Sequence, residues 1–212
     1  MKKLDLKKNL KNLYLPSAKE ATLVRVPRFN YLTIDGTGDP NTSQAFQEAV
    51  QALYTLAYTL KFTIKKEKRI DYPVMTLEGL WWTDDMAHFS AENRSAWKWR
   101  LMILQPGVVT KAFFQKALSE AREKKGLPAL DKIRFEPFRE GLSVQILHIG
   151  TYAEEGPTIE KLHAFARQRG YELSGKHHEI YLSDPRRVKP EKMRTVIRQP
   201  IQKARIVQPS GN

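Results

Sequence analysis

The residues best suited to chemistry lie between Ser174 and Pro185, a segment that reads Ser-Gly-Lys-His-His-Glu-Ile-Tyr-Leu-Ser-Asp-Pro. Its middle alternates as a β-strand does, so successive side chains point to opposite faces. One face carries His177, Glu179 and Tyr181, and the other carries His178, Ile180 and Leu182.

Glu179 is the unusual residue of this segment, because its carboxylate lies among β-branched and aromatic neighbours. Burying an unpaired charge costs several kcal/mol. The carboxylate is therefore exposed on a half-solvated sheet, paired with a lysine or arginine, or kept for a ligand. The spacing alone favours the solvated or paired carboxylate over the ligand-binding one.

The chain has 212 residues, enough for one large domain or two small ones with a buried core. Its formal net charge is +13, but the excess lies at the ends. Residues 1–12 hold five lysines against one aspartate, and residues 186–212 hold eight lysines and arginines against one glutamate. All four tryptophans lie within residues 81–99. Because nucleic-acid binders combine a basic face with base-stacking aromatics, the charge argues against a nucleic-acid partner and for solubility or an acidic partner.

Several classes of protein are excluded by what the sequence lacks. There is no cysteine for a disulfide or a thiolate. No apolar run approaches the roughly 20 residues of a membrane span, and the N-terminus lacks the apolar region of a signal peptide. His177 and His178 point to opposite faces and the other histidines are scattered, so we expect no metal site and no cofactor. We expect a cytoplasmic protein that is not bound to a membrane.

Periodicity predicts an α+β fold in which the order strand–helix–strand–strand occurs twice. The first module, at about residues 23–104, has a strand at 23–34, a helix at 43–61 and strands at 73–83 and 96–105. The second, at about 142–200, has a strand at 142–149, a helix at 158–169 and strands at 176–183 and 193–199. Between them lie a connector helix at 109–126 and a short extended stretch at 132–138.

These modules predict a single domain over residues 21–201, preceded by a basic lead at 1–20 without a clear core face and followed by a tail at 202–212. Two such pseudo-symmetric modules can pair their antiparallel sheets about a twofold axis. Their helices would then lie on one face, and a concave seam would lie on the other. Seams between units are where small-molecule pockets tend to form, so we expect a ligand cleft between the modules.

The predicted hairpin of the first module carries all four tryptophans. Trp82 shares a face with Glu78 and Leu80, and Trp97 and Trp99 share a face of the next strand. Each large aromatic buries roughly 150–250 Å², so these side chains suit a core. They would equally suit the wall of a cavity for a flat ligand, although the core is the more usual place for tryptophan.

The sequence also resembles the GyrI-like small-molecule-binding family over roughly residues 20–201. Beside the two modules, four runs carry the resemblance: Leu77-Glu-Gly-Leu-Trp-Trp82, His148-Ile-Gly-Thr-Tyr152, the strand from Gly175 to Pro185, and Thr195-Val-Ile-Arg-Gln-Pro-Ile201. The family is related to the effector domains of AraC-type and drug-sensing transcription activators. Residues 1–20 are too short for a helix-turn-helix, so the chain resembles the stand-alone members instead.

The resemblance implies an aromatic-walled pocket for a small molecule. In the family, a glutamate in the strand that matches Glu179 lies at the base of the pocket and faces cationic or polar aromatic ligands. Aromatic walls stack on a planar ligand, and a buried carboxylate complements its charge. The aromatic residues that we expect in this pocket are Trp82, Trp99, Tyr152 and Tyr181.

Two functions follow from the resemblance, and the residues fit both. The first, which we favour, is a binding module that senses or sequesters flat, hydrophobic or cationic compounds. The second is a hydrolase, because some stand-alone members with the Glu-Gly-Leu-Trp-Trp pattern open the cyclopropane ring of DNA-alkylating cyclopropanoid toxins of the yatakemycin type.

In the hydrolase, Glu179 would orient or deprotonate water, with Glu155 as a second acid. Tyr152 or Tyr181 would hydrogen-bond the oxygen that gains charge. An alternative for Glu155 is a carboxylate that stabilises the start of the second helix. The identity of the ligand and the oligomeric state stay open.

Overall fold

A computed structural model describes residues 1–86 and 93–204 of the chain. Six antiparallel strands form a ring in the order β6-β2-β5-β4-β8-β9, and β9 pairs again with β6. The ring is therefore a closed, barrel-like sheet without free edges among these strands. Its members are β2 (Thr22–Thr37), β4 (Leu77–Trp82), β5 (Lys98–Gln105), β6 (Arg134–Ile149), β8 (His177–Tyr181) and β9 (Arg194–Lys203).

Three short strands lie outside the ring. β1 (Lys2–Lys3) pairs in parallel with β3 (Ile70–Asp71), and β7 (Tyr171–Leu173) extends the sheet beside β9. The helices are α1 (Leu6–Asn9), α2 (Lys11–Tyr14), α3 (Gln44–Lys68), α4 (Lys111–Lys125) and α5 (Gly156–Gln168). No helix in the described part of the chain is long and apolar enough to cross a membrane.

The predicted order strand–helix–strand–strand is present in both halves. Strands β2, β5 and β4 are neighbours in the ring, with α3 packed against β2 and β5. Strands β6, β9 and β8 are neighbours in the same way, with α5 packed against β6 and β9. The two sets meet where β4 pairs with β8 and where β2 pairs with β6.

Two predicted elements have different bounds in the structure. Residues 134–138 and 142–149, expected to lie in separate stretches, belong to one strand, β6, because its register with β2 continues without a shift past Gly141. Helix α3 does not stop at residue 61 but continues to Lys68. Lysines in its last turn suit the negative end of the helix dipole, and Arg69 ends it in the left-handed conformation at φ 56°.

The N-terminal lead also differs from its prediction. It has a core face, because Leu13 and Tyr14 of α2 are each 3% exposed. The Tyr14 hydroxyl donates to Glu78 Oε1 at 2.5 Å, and the Leu13 carbonyl accepts from Arg198 at 2.6 Å. The lead is therefore packed against the sheet. The predicted tail lies mostly outside the described residues, since only 202–204 are described.

The helices α3 and α5 cover the same face of the ring that carries Glu179. Trp81, which pairs with His177 in register, packs on Phe46 of α3 at 5.9 Å between ring centroids. Ile197, opposite Glu179 in register, belongs to the cluster that buries Leu162 of α5. The seam with Glu179 therefore lies on the helical face, between the helices, and not on the face opposite to them as expected.

Candidate functional site

The candidate site is built on the seam between β4 and β8, where Gly79 lies opposite Glu179 and Trp81 lies opposite His177. Register partners in an antiparallel pair point to the same face, so these four residues share one surface. A Cβ at Gly79 would lie 2.8 Å from Trp81 Nε1 and 3.0 Å from the Tyr181 hydroxyl. Gly79 thus leaves the space in which these two polar groups meet.

Glu179 is held by two partners on its own strand. The Tyr181 hydroxyl donates to Oε2 at 2.8 Å, and His177 Nε2 lies 3.1 Å from Oε1. Trp81 Nε1 donates in turn to the Tyr181 hydroxyl at 3.0 Å, which directs the hydroxyl proton toward the carboxylate. The Glu179 side chain is 13% exposed. Its position is therefore fixed, and part of it remains open to a ligand.

Glu155 is a second carboxylate of this site, and it is 4% exposed. Among the described residues, its Oε1 has no hydrogen-bond partner. It is the N-cap residue of α5 and makes no side-chain capping hydrogen bond. Burial, followed by the negative charge of Glu179, raises the pKa of Glu155 to about 9. A neutral, proton-donating acid thus lies near Glu179 at neutral pH.

Tyrosines surround the two carboxylates. The ring of Tyr152 meets that of Tyr181 edge-on at 5.6 Å between centroids, and Tyr152 is 41% exposed. Burial of its hydroxyl and the charges of Glu179 and Glu155 raise the pKa of Tyr152 to about 12. Tyr54 of α3 accepts a hydrogen bond from the Leu77 amide at 3.2 Å and approaches closely enough to affect Tyr152 electrostatically. We call Glu155, Glu179, Tyr54, Tyr152 and Tyr181 the Glu179 cluster.

The structure brings together Glu179, Glu155, Tyr152 and Tyr181, but it places the two predicted tryptophans elsewhere. Trp82 follows Trp81 in the strand and so points to the opposite face of β4, where Lys176 Nζ lies 3.1 Å from its ring centroid.

Trp99 shares the face of Glu179 but is 1% exposed, beneath α3. Its ring occupies the space that a Cβ of Gly36 would need, and it meets Phe46 edge-on at 5.3 Å. Trp99 is thus a core residue, and Trp82 does not line the surface that carries Glu179.

Two residues of the site, Trp81 and His177, were not predicted as site residues from the sequence. For Tyr54 the sequence allowed either a pocket rim or a half-buried core. His177 and Trp81 lie in the same short runs as Glu179 and Gly79, and alternation places His177 on the face of Glu179. The alternation in the sequence could therefore have indicated His177. The placement of Tyr54 depends on how α3 packs over the sheet, which periodicity does not give.

The inner face of the seam, behind Glu179, holds a buried charge network. His178 Nε2 lies 3.1 Å from Glu78 Oε2 and its Nδ1 lies 2.9 Å from Glu140 Oε1, while Arg198 Nη1 donates to Glu140 Oε2 at 3.0 Å. Burial opposes charge on His178, but Glu140 and Glu78 raise its pKa to about 9. Burial likewise opposes charge on Glu140, yet His178 and Arg198 lower its pKa to about 2. The network ties four strands together directly behind the candidate site.

No group of three histidine, aspartate or glutamate side chains in residues 1–86 and 93–204 is arranged to hold a metal ion. His88, one of the scattered histidines, lies outside the described residues.

Comparison with known proteins gives one family. The model of the GyrI-like small molecule binding domain matches residues 19–202. An uncharacterized conserved protein from Listeria innocua is 38% identical, with a TM-score of 0.88, over 94% of this chain and 100% of that one. A hydrolase from Listeria innocua is 37% identical, with a TM-score of 0.85, over 95% of this chain and 100% of that one.

A more distant structure shares the fold alone. The EcmrR C-terminal domain is 14% identical, with a TM-score of 0.52, over 91% of this chain and 99% of that one. No curated protein matches the sequence.

Proposed function

This chain belongs to the GyrI-like family of small-molecule-binding domains, and we propose that it binds flat, hydrophobic or cationic compounds at the Glu179 cluster. The observation that carries the proposal is the Glu179 carboxylate, which is 13% exposed, fixed by Tyr181 and His177, and surrounded by tyrosines. Sensing, sequestration or detoxification of such compounds would follow from binding.

Binding of such a compound would depend on stacking, charge and hydrogen bonding. The exposed edge of Tyr152 offers a ring face or edge for stacking, worth about 0.5–1.5 kcal/mol beyond the area it buries. Glu179 supplies the negative charge that a cationic ligand needs. Because Glu155 stays neutral, the site presents one negative charge and one hydrogen-bond donor. This combination suits a flat ligand with a cationic or polar group at one end.

Hydrolysis is the second candidate function, and a specific observation favours it. Glu179 is close enough for its negative charge to raise the pKa of Glu155. Glu155 then stays protonated and can act as an acid, while Glu179 can act as a base. In opening a cyclopropane, the water oxygen would bond to a ring carbon as a ring carbon–carbon bond breaks. Glu179 would accept the water proton, and the electron pair would move to a conjugated carbonyl oxygen, which Tyr152 or Glu155 would protonate.

Binding and turnover are tested together with a cyclopropanoid of the yatakemycin type and, separately, with a flat aromatic cation such as ethidium. We expect Glu179→Gln to weaken ethidium binding by about tenfold or more, since a charge-assisted contact is worth about 1.5–3 kcal/mol. The change should leave the melting temperature within a few degrees of the wild type. Isothermal titration calorimetry measures the affinity, and mass spectrometry detects the ring-opened product.

Glu160→Gln is the matched control, because Glu160 lies on α5 with its side chain 74% exposed. Product formed at many turnovers and lost in Glu179→Gln would identify the hydrolase. Tight binding without product would identify the binding module. Equal affinity in wild type and Glu179→Gln for both compounds would contradict a role for the Glu179 cluster.

The same proposal defines the functional unit. We assign the ligand-binding domain to residues 21–201, with two modules related by a pseudo-twofold axis. The equivalent ring orders β2-β5-β4 and β6-β9-β8 support that relation. Such an axis would pass through the β4–β8 seam region and explain why the candidate site lies between the two helices.

A further inference from the structure

A second cleft, of about 590 Å³, opens on the paired strands β2 and β6. The lining consists of Arg25, Val26, Pro27, Arg28, Pro137 and Arg139. The β2–β6 register passes from Val26 opposite Gly141 to Arg28 opposite Arg139, and it omits a pair at Pro27, which has no N–H to donate. None of the lining residues belongs to the Glu179 cluster, so the two sites are different parts of the surface.

The arginines of this cleft repel one another. Arg28 and Arg139 are direct register partners, and like charges opposite each other in an antiparallel pair are destabilising. Within residues 1–86 and 93–204, none of the three arginines forms an ion pair. By contrast, Arg100 and Arg134, near the other end of the same sheet region, both bond to Asp35. Arg28 and Arg139 therefore keep their positive charges side by side, an arrangement that is unfavourable for stability.

We propose that this cleft binds a small organic molecule that carries two or more phosphate groups. Guanidinium groups bind phosphate oxygens through paired, charge-assisted hydrogen bonds, and the register partners Arg28 and Arg139 offer two such groups on one face, which suits two neighbouring phosphates. The volume lies within the range of about 300–1,000 Å³ that is usual for small-ligand sites.

The remaining lining explains why the ligand should be organic. Pro27 and Pro137, which are exposed, present apolar surface beside the arginines, and this suits the carbon framework of an organic phosphate. The prolines also restrict the backbone, since each fixes its own φ. The backbone beside Arg28 and Arg139 is thus restricted before the ligand arrives, which lowers the entropy lost on binding.

The test uses the full chain and sodium pyrophosphate as the probe, with sodium chloride at matched ionic strength as the reference. We expect pyrophosphate to raise the wild-type melting temperature by about 5–10 °C at a hundredfold excess over its Kd. In Arg28→Gln/Arg139→Gln, we expect that rise to disappear and the Kd from calorimetry to weaken at least tenfold. Without pyrophosphate, the double variant should melt at the wild-type temperature or above it, because the repulsion is gone.

Lys111→Gln/Lys132→Gln is the control, because it removes two positive charges from exposed positions outside the cleft. It should keep the full response to pyrophosphate. A rise that sodium chloride reproduces at equal ionic strength, or that persists in Arg28→Gln/Arg139→Gln, would overturn the proposal. So would binding of a 12-base-pair DNA duplex without any binding of pyrophosphate, since that result would indicate an extended nucleic-acid surface.

Discussion

The raised pKa of Glu155 predicts that removing its charge stabilises the protein at alkaline pH. Its pKa is about 9 in the folded chain against a reference value of 4.5, so between these values the folded state holds one more proton than the unfolded state. Stability then falls as pH rises, by about 1.4 kcal/mol per pH unit for one proton. Glu155→Gln cannot ionise and avoids this loss.

The magnitude follows from the interval between pH 5 and pH 8. Over three pH units, the wild type should lose up to about 4 kcal/mol relative to Glu155→Gln. For a chain of this length, 1 kcal/mol corresponds to about 2–4 °C in Tm, so the difference between the two proteins should change by about 8–16 °C at most. His178, whose pKa is also raised, contributes equally to both proteins and cancels.

The assay is thermal unfolding of the two proteins at pH 5, 6, 7 and 8 at constant ionic strength. The buried amide of glutamine brings its own unpaired groups, whose cost is the same at every pH. The test is therefore how the difference in Tm between the two proteins changes with pH, and not its constant part. Glu160→Gln, on the exposed side of the same helix, should follow the wild type throughout. Parallel curves for wild type and Glu155→Gln would refute the reasoning that burial and Glu179 keep Glu155 neutral.

Three further substitutions test the two faces of the β4–β8 seam separately: the face that carries Glu179 and the inner face behind it. Arg198→Met leaves Glu140 buried without its arginine partner and should cost about 3–5 kcal/mol by urea unfolding; Glu140→Gln/Arg198→Met should recover much of that loss, and no recovery would count against the Glu140–Arg198 pair. Gly79→Ala forces its Cβ onto Trp81 and should weaken ligand binding at the Glu179 cluster by calorimetry, with an unchanged Kd as the contrary result. Trp82→Ala should leave that Kd within about twofold, because Trp82 lies on the other face of β4; a large loss of affinity would show that the ligand reaches that face.

Local patterns in the sequence predicted the parts of this fold that depend on neighbours in the chain. The alternation of residues 177–182 is confirmed by the β4–β8 register, and the connector helix expected at 109–126 is α4, Lys111–Lys125. The role of α2 was missed, because Tyr14 becomes a core residue only through contact with Glu78, 64 positions away. Short polar helices carry little hydrophobic periodicity, so such long-range contacts leave no local signal.

The candidate site could also be predicted only where it depends on neighbours in the chain. Glu179 and Tyr181 could be assigned to one face by strand period alone, and as binding residues they stay a prediction. The choice between Trp81 and Trp82 needed the pairing of β4 with β8, since a strand pattern gives two faces but does not say which neighbour each face meets. The buried state of Glu155 likewise depends on a strand and a helix turn that are 24 residues apart in the sequence.

At the seam between β4 and β8, consecutive residues carry opposite charges on opposite faces of the sheet. His178 points inward, where Glu78 and Glu140 compensate its charge completely, and Glu179 points outward, where only neutral or weakly basic partners hold it. Arg198, the register partner of His178, bonds to Glu140 and Gln145 on the inner face, and no described arginine or lysine forms an ion pair with Glu179. The inner charges are thus compensated within the protein, and under the proposed function the outer carboxylate offers its charge to a ligand.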